Sequence, residues 1–264
     1  MKGQAFAVSV ASILFWLVSC AHISPQSTTV TPAPTPLPRF TWDANADVRV
    51  MLATQCCPSP TTEELVRFYI PEAQLWGDGR FLWTEWDEGG ARQVFVTRLS
   101  SDEMQALLQE IAAIGFFEWD AEYQGEPVVD AAGKCLNITL TDRDRTVCEA
   151  DGGAPVAFYT FFDRLSQGAG NSGLLFQPER AYVTGFQLEE LVGPRSAADL
   201  TWEEMQTQGP ATQVLSGFWL EQGETLQMLW DAANQDPYYM PLVEDGDQLY
   251  RIILQVPAVS WIEP

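Results

Sequence analysis

The sequence predicts an α+β fold, a mainly antiparallel sheet with a few amphipathic helices packed on it. Three observations carry that prediction. Short runs rich in β-branched and aromatic residues recur between turn residues, and several fold straight back on themselves. Stretches with apolar residues at helical spacing are few and isolated between the strand-like runs, which disfavours a parallel βαβ sheet. The 264 residues are 46% apolar and 19% charged, enough to bury a core and not a disordered composition.

The elements follow in chain order. Residues 66–76 are apolar-rich, Gly77-Asp78-Gly79-Arg80 follows, and residues 81–86 resume a β-rich run. Asp-Gly tolerates positive φ, so this reads as a hairpin. Residues 93–99 form a third strand. Ser100 then caps a helix, with Glu103 completing a capping box. Met104, Leu107, Leu108 and Ile111 make its apolar stripe, and Gly115 is placed to end it. Leu136, Ile138 and Leu140 alternate with polar residues, a turn follows at 141–144, and 145–149 return. Pro155 opens a second helix at its first position. Phe158, Phe161, Phe162 and Leu165 line its face, and Gly168 stops it. The Gly-rich stretch 168–173 reads as a linker, because it lacks the Gly-Lys-Ser/Thr ending of a phosphate loop. Residues 181–188 and 214–220 read as strands, 201–206 as a short capped helix, 224–233 as a helix, and 241–256 as a hairpin over Asp245-Gly246. The folded body divides into an α+β domain at 40–175, and 176–264 is either a second α+β subdomain or its continuation.

The stretch Leu75-Trp76-Gly77-Asp78-Gly79-Arg80, then Thr97-Arg98-Leu99-Ser100-Ser101-Asp102-Glu103, then Gly115-Phe116-Phe117-Glu118-Trp119 and Tyr123 resembles a group of uncharacterised secreted bacterial domains. The resemblance covers residues 66–165. It implies a strand, a Gly-Asp-Gly turn, a strand, a capped helix ending in Gly-Phe-Phe, and a hairpin. It implies no activity.

The amino terminus reads as an address. Lys2 precedes an uncharged run over residues 5–18, too short for a membrane span and suited to a signal-peptide core. Leu17-Val18-Ser19-Cys20 resembles the lipobox of bacterial lipoproteins. That resemblance implies cleavage of residues 1–19, acylation of Cys20, including palmitate, and anchorage to the bacterial membrane, on the cell surface or the periplasmic face. Residues 20–39 are rich in Pro and Thr and form a spacer, reaching up to roughly 60 Å at about 3.1 Å per residue.

Composition excludes several functions. The formal charge of −22, from 36 acidic and 14 basic residues, argues against nucleic-acid binding. The single histidine, His22, lies in the spacer, which excludes His-dependent triads and His-based zinc sites. No catalytic residue, cofactor or metal is expected. Beyond Cys20 stand Cys56, Cys57, Cys135 and Cys148. A turn centred between Thr141 and Asp142 sets Cys135 opposite Cys148, the favoured disulfide; the alternative ties Cys56 and Cys57 to that hairpin. Trp76, Trp83 and Trp86 are the candidate binding surface, a platform for a sugar or peptide. Glu85 with Asp87, and Glu118 with Asp120, flank tryptophans and invite a glycosidase reading. Asp142 with Asp144, and Asp245 with Asp247, read as turn residues rather than calcium ligands. The favoured function is a non-enzymatic binding module of the cell envelope, with an envelope protein or glycan as partner. The alternative is a carboxylate-dependent hydrolase acting on envelope glycans.

Overall fold

Gly-Asp-Gly turns and alternating apolar residues decide the first strands. In the computed structural model, β2 (Ala73–Trp76) and β3 (Arg80–Trp86) form the expected hairpin, with Leu75 opposite Phe81. The structure describes residues 38–56, 69–127, 132–188, 200–205, 210–235 and 240–260. The signal stretch 1–19, Cys20, His22 and Cys57 lie outside the described residues. β4 (Arg92–Arg98) continues the meander antiparallel to β3. The helix α1 (Ser101–Ala113) starts where its capping box demands: Ser100 Oγ accepts from the Glu103 N–H, and the Glu103 carboxylate accepts from the Ser100 N–H at 2.7 Å. Its buried residues are Met104, Leu107, Leu108 and Ile111, the stripe read from spacing.

β6 (Gly133–Thr139) and β7 (Asp144–Ala150) form the second hairpin, with Cys135 directly opposite Cys148. Their sulfurs stand at disulfide-bonding distance, 2.07 Å. The helix α2 (Val156–Ser166) buries Phe158, Phe161, Phe162 and Leu165; Pro155 is its N-cap, one position ahead of the expected start. Arg164 of α2 pairs with Glu110 of α1.

Two sheets result, with most strands antiparallel and three α-helices among the described residues, an arrangement compatible with the α+β class. β1 (Arg49–Cys56), β5 (Glu122–Gln124) and the two-residue β8 (Leu174–Leu175) complete an eight-stranded sheet in the order β5-β7-β6-β1-β2-β3-β4-β8. The five-stranded sheet contains β9 (Arg180–Gln187), β10 (Leu200–Thr201), β11 (Phe218–Glu221), β12 (Leu242–Asp245) and β13 (Gln248–Gln255), in the order β10-β12-β13-β9-β11. The third helix, α3 (Glu224–Gln235), buries Leu226, Leu229 and Trp230. Side chains alternate across a strand, and both faces of the larger sheet are covered. Leu75, Phe81 and Trp83 join a first core with α1 and α2. Trp76, Leu82 and Val94 join a second core with α3, Val183, Ile252 and Leu254. That second core draws on residues from both sides of position 175, and Phe176 donates its N–H to the Val94 carbonyl at 2.7 Å.

Several elements differ from the sequence reading. β1 is a full strand between β2 and β6. Within 66–76, the strand starts only at Ala73. Residues 214–220 do not form one strand: a 3-10 turn occupies Ala211–Leu215, and β11 starts at Phe218. Gly217 separates the two at φ +77°, packed so closely that a Cβ there would lie 2.2 Å from the Tyr182 hydroxyl. At 201–205 the capping bonds form between Thr201 and Glu204, around a turn.

Candidate functional site

The Gly77-Asp78-Gly79-Arg80 turn builds one wall of the site. A Cβ at Gly77 would lie 2.0 Å from the Asp43 carbonyl oxygen, so only glycine fits there. Gly79, at φ +88°, turns the chain and donates to the Trp76 carbonyl at 2.9 Å. The Asp78 carboxylate then accepts from the Arg80 backbone N–H at 3.1 Å and from Arg80 Nε at 3.0 Å. Arg98 Nη2 reaches the same carboxylate at 3.2 Å. Burial works to raise the Asp78 pKa. The Arg80 backbone N–H and the guanidiniums of Arg80 and Arg98 outweigh it, so the carboxyl sits below its ordinary value. Arg80 Nη2 also donates to the Ala46 carbonyl at 2.6 Å, and its guanidinium rests 5.3 Å from the centre of the Trp76 ring.

Arg49, the first residue of β1, lies over the same indole at 4.6 Å, a cation–π contact. Its Nη2 donates to the Ser260 carbonyl at 2.7 Å. The turn after β13 is therefore fastened to this end of the larger sheet, as it is by Gln74, which donates to the Val259 carbonyl at 2.5 Å.

Arg49, Trp76 and Arg80 line a cavity of about 780 Å³, within the range of ligand sites. Phe176, Val256 and Pro257 give it apolar wall, Arg180 and Glu179 enter from the start of β9, and Asp47 stands beside Arg49. Three guanidiniums and two carboxylates thus surround a buried indole. The Trp76 indole N–H is buried and meets no acceptor among the described residues. Arg180 is exposed, has no ion pair among the described residues, and lies 4.9 Å from the Trp219 ring, which in turn packs on Tyr182.

The three tryptophans expected as a platform do not form one. Trp76 and Trp83 are 4% and 2% exposed and belong to the two different cores, because the sheet is covered on both sides. Only Trp86, at 44%, offers its ring to solvent. Trp83 donates its N–H to Glu85 at 2.8 Å and stacks on Phe95. The Gly-rich stretch closes over this ring: a Cβ at Gly173 would lie 2.3 Å from it. Trp76 alone of the three reaches the cavity, through a ring already covered by arginine.

Glu85 and Asp87 serve the fold. Asp87 accepts from the Gly89 and Ala91 N–H groups, and none of Glu85, Asp87, Glu118 and Asp120 lines the cavity. Asp144 accepts from Asn137 at 2.9 Å, and Asp142 pairs with Arg143 at 2.8 Å. Cys135 and Cys148 meet far from the cavity residues in sequence, and Cys56 ends β1. Sequence reasoning missed Arg49, Arg80, Phe176 and Arg180. One signal was available: Arg49 interrupts the apolar run Val48, Val50, Met51, Leu52, where a charge needs a reason.

A second buried polar group joins the halves. Arg92 Nε donates to Asn234 of α3 at 2.7 Å. Burial lowers the Arg92 pKa to about 10 against the pull of Glu72, and burial raises the Glu72 carboxyl against the pull of Arg92.

No family model matches the chain, nor does any curated protein or any solved structure. No helix of the described residues is long and apolar enough to cross a membrane.

Proposed function

We propose that this chain is an extracytoplasmic lipoprotein, acylated at Cys20 and held to the bacterial membrane through the spacer 20–39. Its body is a non-enzymatic binding module of the cell envelope, related to the secreted bacterial domains that residues 66–165 resemble. The observation that carries the reading is the Arg49–Trp76–Arg80 cavity. Its Arg49 and Arg80 are fixed by backbone carbonyls and Asp78, beside an apolar wall from Phe176, Val256 and Pro257.

Site-directed photocrosslinking in the source envelope tests this. A photoreactive residue at Gln177, exposed on the cavity wall, is expected to capture one envelope protein or glycan reproducibly. A control at Asp102, exposed on α1, is expected to capture none. Equal capture at both positions, or none at either, counts against a binding site here. Mass spectrometry of the mature amino terminus, in the native chain and in Cys20→Ser, tests the anchor separately.

One observation favours the second reading, a carboxylate-dependent hydrolase acting on envelope glycans: Asp47 and Glu179 line the same cavity. That reading requires release of sugar from purified envelope glycan, abolished by Asp47→Asn or Glu179→Gln.

A further inference from the structure

We infer that the cavity binds a single carboxylate carried on a flat apolar body. This deepens the binding-module reading and rests on it for the location of the site. The chain is poor in cations, with 14 basic residues against 36 acidic ones. Arg49, Arg80 and Arg180 nevertheless converge on one cavity, from positions far apart in sequence. Chance placement on so acidic a chain does not favour such a gathering, whereas recognition of an oxyanion by guanidinium forks requires it.

The groups offered to a ligand are donors. Arg80 is held from behind by Asp78 and Ala46, which fixes its guanidinium beside Trp76. Arg180 lines the cavity, is exposed, and meets no carboxylate among the described residues. A carboxylate satisfies such guanidinium donors. Phe176, Val256 and Pro257 fit a hydrocarbon or ring body against the apolar wall.

The charge of the lining favours one negative charge. Three arginines against Asp47 and Glu179 leave the lining at 3 − 2 = +1. The chain as a whole carries −22. One negative charge neutralises the lining, and a second has no counter-charge there on a chain that is acidic overall.

The test uses the full mature chain in detergent, with binding followed by calorimetry and by tryptophan emission. The probes are 3-phenylpropionate, a free acid, and N-acetylphenylalanine, which presents a peptide-type carboxylate. N-acetylphenylalaninamide is the neutral control and phenyl phosphate the dianion. Saturable binding of a carboxylate probe is expected, with the amide weaker by about tenfold or more, since a charge-assisted pair is lost. Whichever acid binds tighter tells a free acid from a chain terminus. Arg180→Gln is expected to weaken the acid by about tenfold while moving the thermal midpoint little, because the residue is exposed and its contact with Trp219 is a surface one.

Equal binding of acid and amide, tighter binding of phenyl phosphate, indifference to Arg180→Gln, or no binding at about 10 mM probe each overturns the inference. If no acid binds and crosslinking from position 177 still captures one partner, the inference falls alone. If both fail, the binding-module reading falls with it.

Discussion

One methyl group at Gly173 measures how tightly the Gly-rich loop is pressed onto Trp83. An alanine Cβ there would stand 2.3 Å from Cη2, 2.9 Å from Cζ2 and 3.1 Å from Cζ3 of the indole. Carbon atoms rest at about 3.5–4.0 Å, so the loop or the ring must move by about 1 Å. The ring is not free to move: it is 2% exposed, bonded to Glu85, stacked on Phe95 and packed against a tilted Phe81. Gly173 does not use a left-handed backbone. Without the clash, alanine would therefore stabilise by about 0.4–1 kcal/mol through the unfolded chain. With it, overpacking costs about 1–3 kcal/mol. For a body of this size each kcal/mol moves the thermal midpoint by about 2–4 °C, so Gly173→Ala is expected to melt roughly 2–12 °C lower. Calorimetry measures the midpoint. A double-mutant cycle with Trp83→Leu assigns the cause, because removing the ring should recover about 1 kcal/mol or more of the loss. Gly170, with nothing within 4 Å of its Cβ, should add independently of Trp83→Leu. A midpoint raised by Gly173→Ala, or full additivity with Trp83→Leu, would refute the packing argument.

Three further outcomes are expected. Cys135→Ser with Cys148→Ser removes a crosslink spanning 13 residues and should cost about 3 kcal/mol by chain entropy; a denaturant midpoint that is unchanged, and unmoved by reductant in the native chain, argues against the bond. Glu72 has a raised native pKa, so its contribution is fully present below about 4.5, its unfolded value, and is lost as pH rises through the native pKa. Glu72→Gln should flatten urea stability across that window, and an unaltered pH slope would remove burial as the cause. Asp78 has a lowered pKa, so its contribution is present above its unfolded value near 3.8 and is lost as pH falls. Asp78→Asn should therefore destabilise most at neutral pH and converge with the native chain in acid, and parallel curves would exclude the Arg80–Asp78–Arg98 cluster as a source of stability.

What could be read from the sequence was local. The helix at Ser101–Ala113 was legible because its cap and its apolar spacing lie within a dozen adjacent residues. The Cys135–Cys148 pairing was legible because a four-residue turn fixes its register. β1 was not legible. Its neighbours β2 and β6 lie on different sides of it in the sheet and far along the chain, and an arginine heads the strand. The tryptophans failed for a related reason. Alternation predicts that Trp76 and Trp83 point to opposite faces, but it does not reveal that a second sheet and α3 cover the face that would otherwise meet water. The cavity is the extreme case, since Arg49, Arg80 and Arg180 meet only after both sheets have formed.

The place of β1 in the sheet has a mechanical consequence. The chain enters the described body at residue 38 and reaches β1 after a short docked lead-in. Along that lead-in, Phe40 is buried in the first core, Thr41 accepts from the Thr141 N–H, and Trp42 donates to the Gly77 carbonyl at 3.2 Å. A pull delivered through the amino terminus would break these contacts one after another, each at small load. It would then arrive at a strand hydrogen-bonded on both sides, to β2 and to β6. A pull along the axis of that strand loads both ladders together, in shear. A body leashed at this point yields in its lead-in first, while the sheet that carries the cavity keeps its shape.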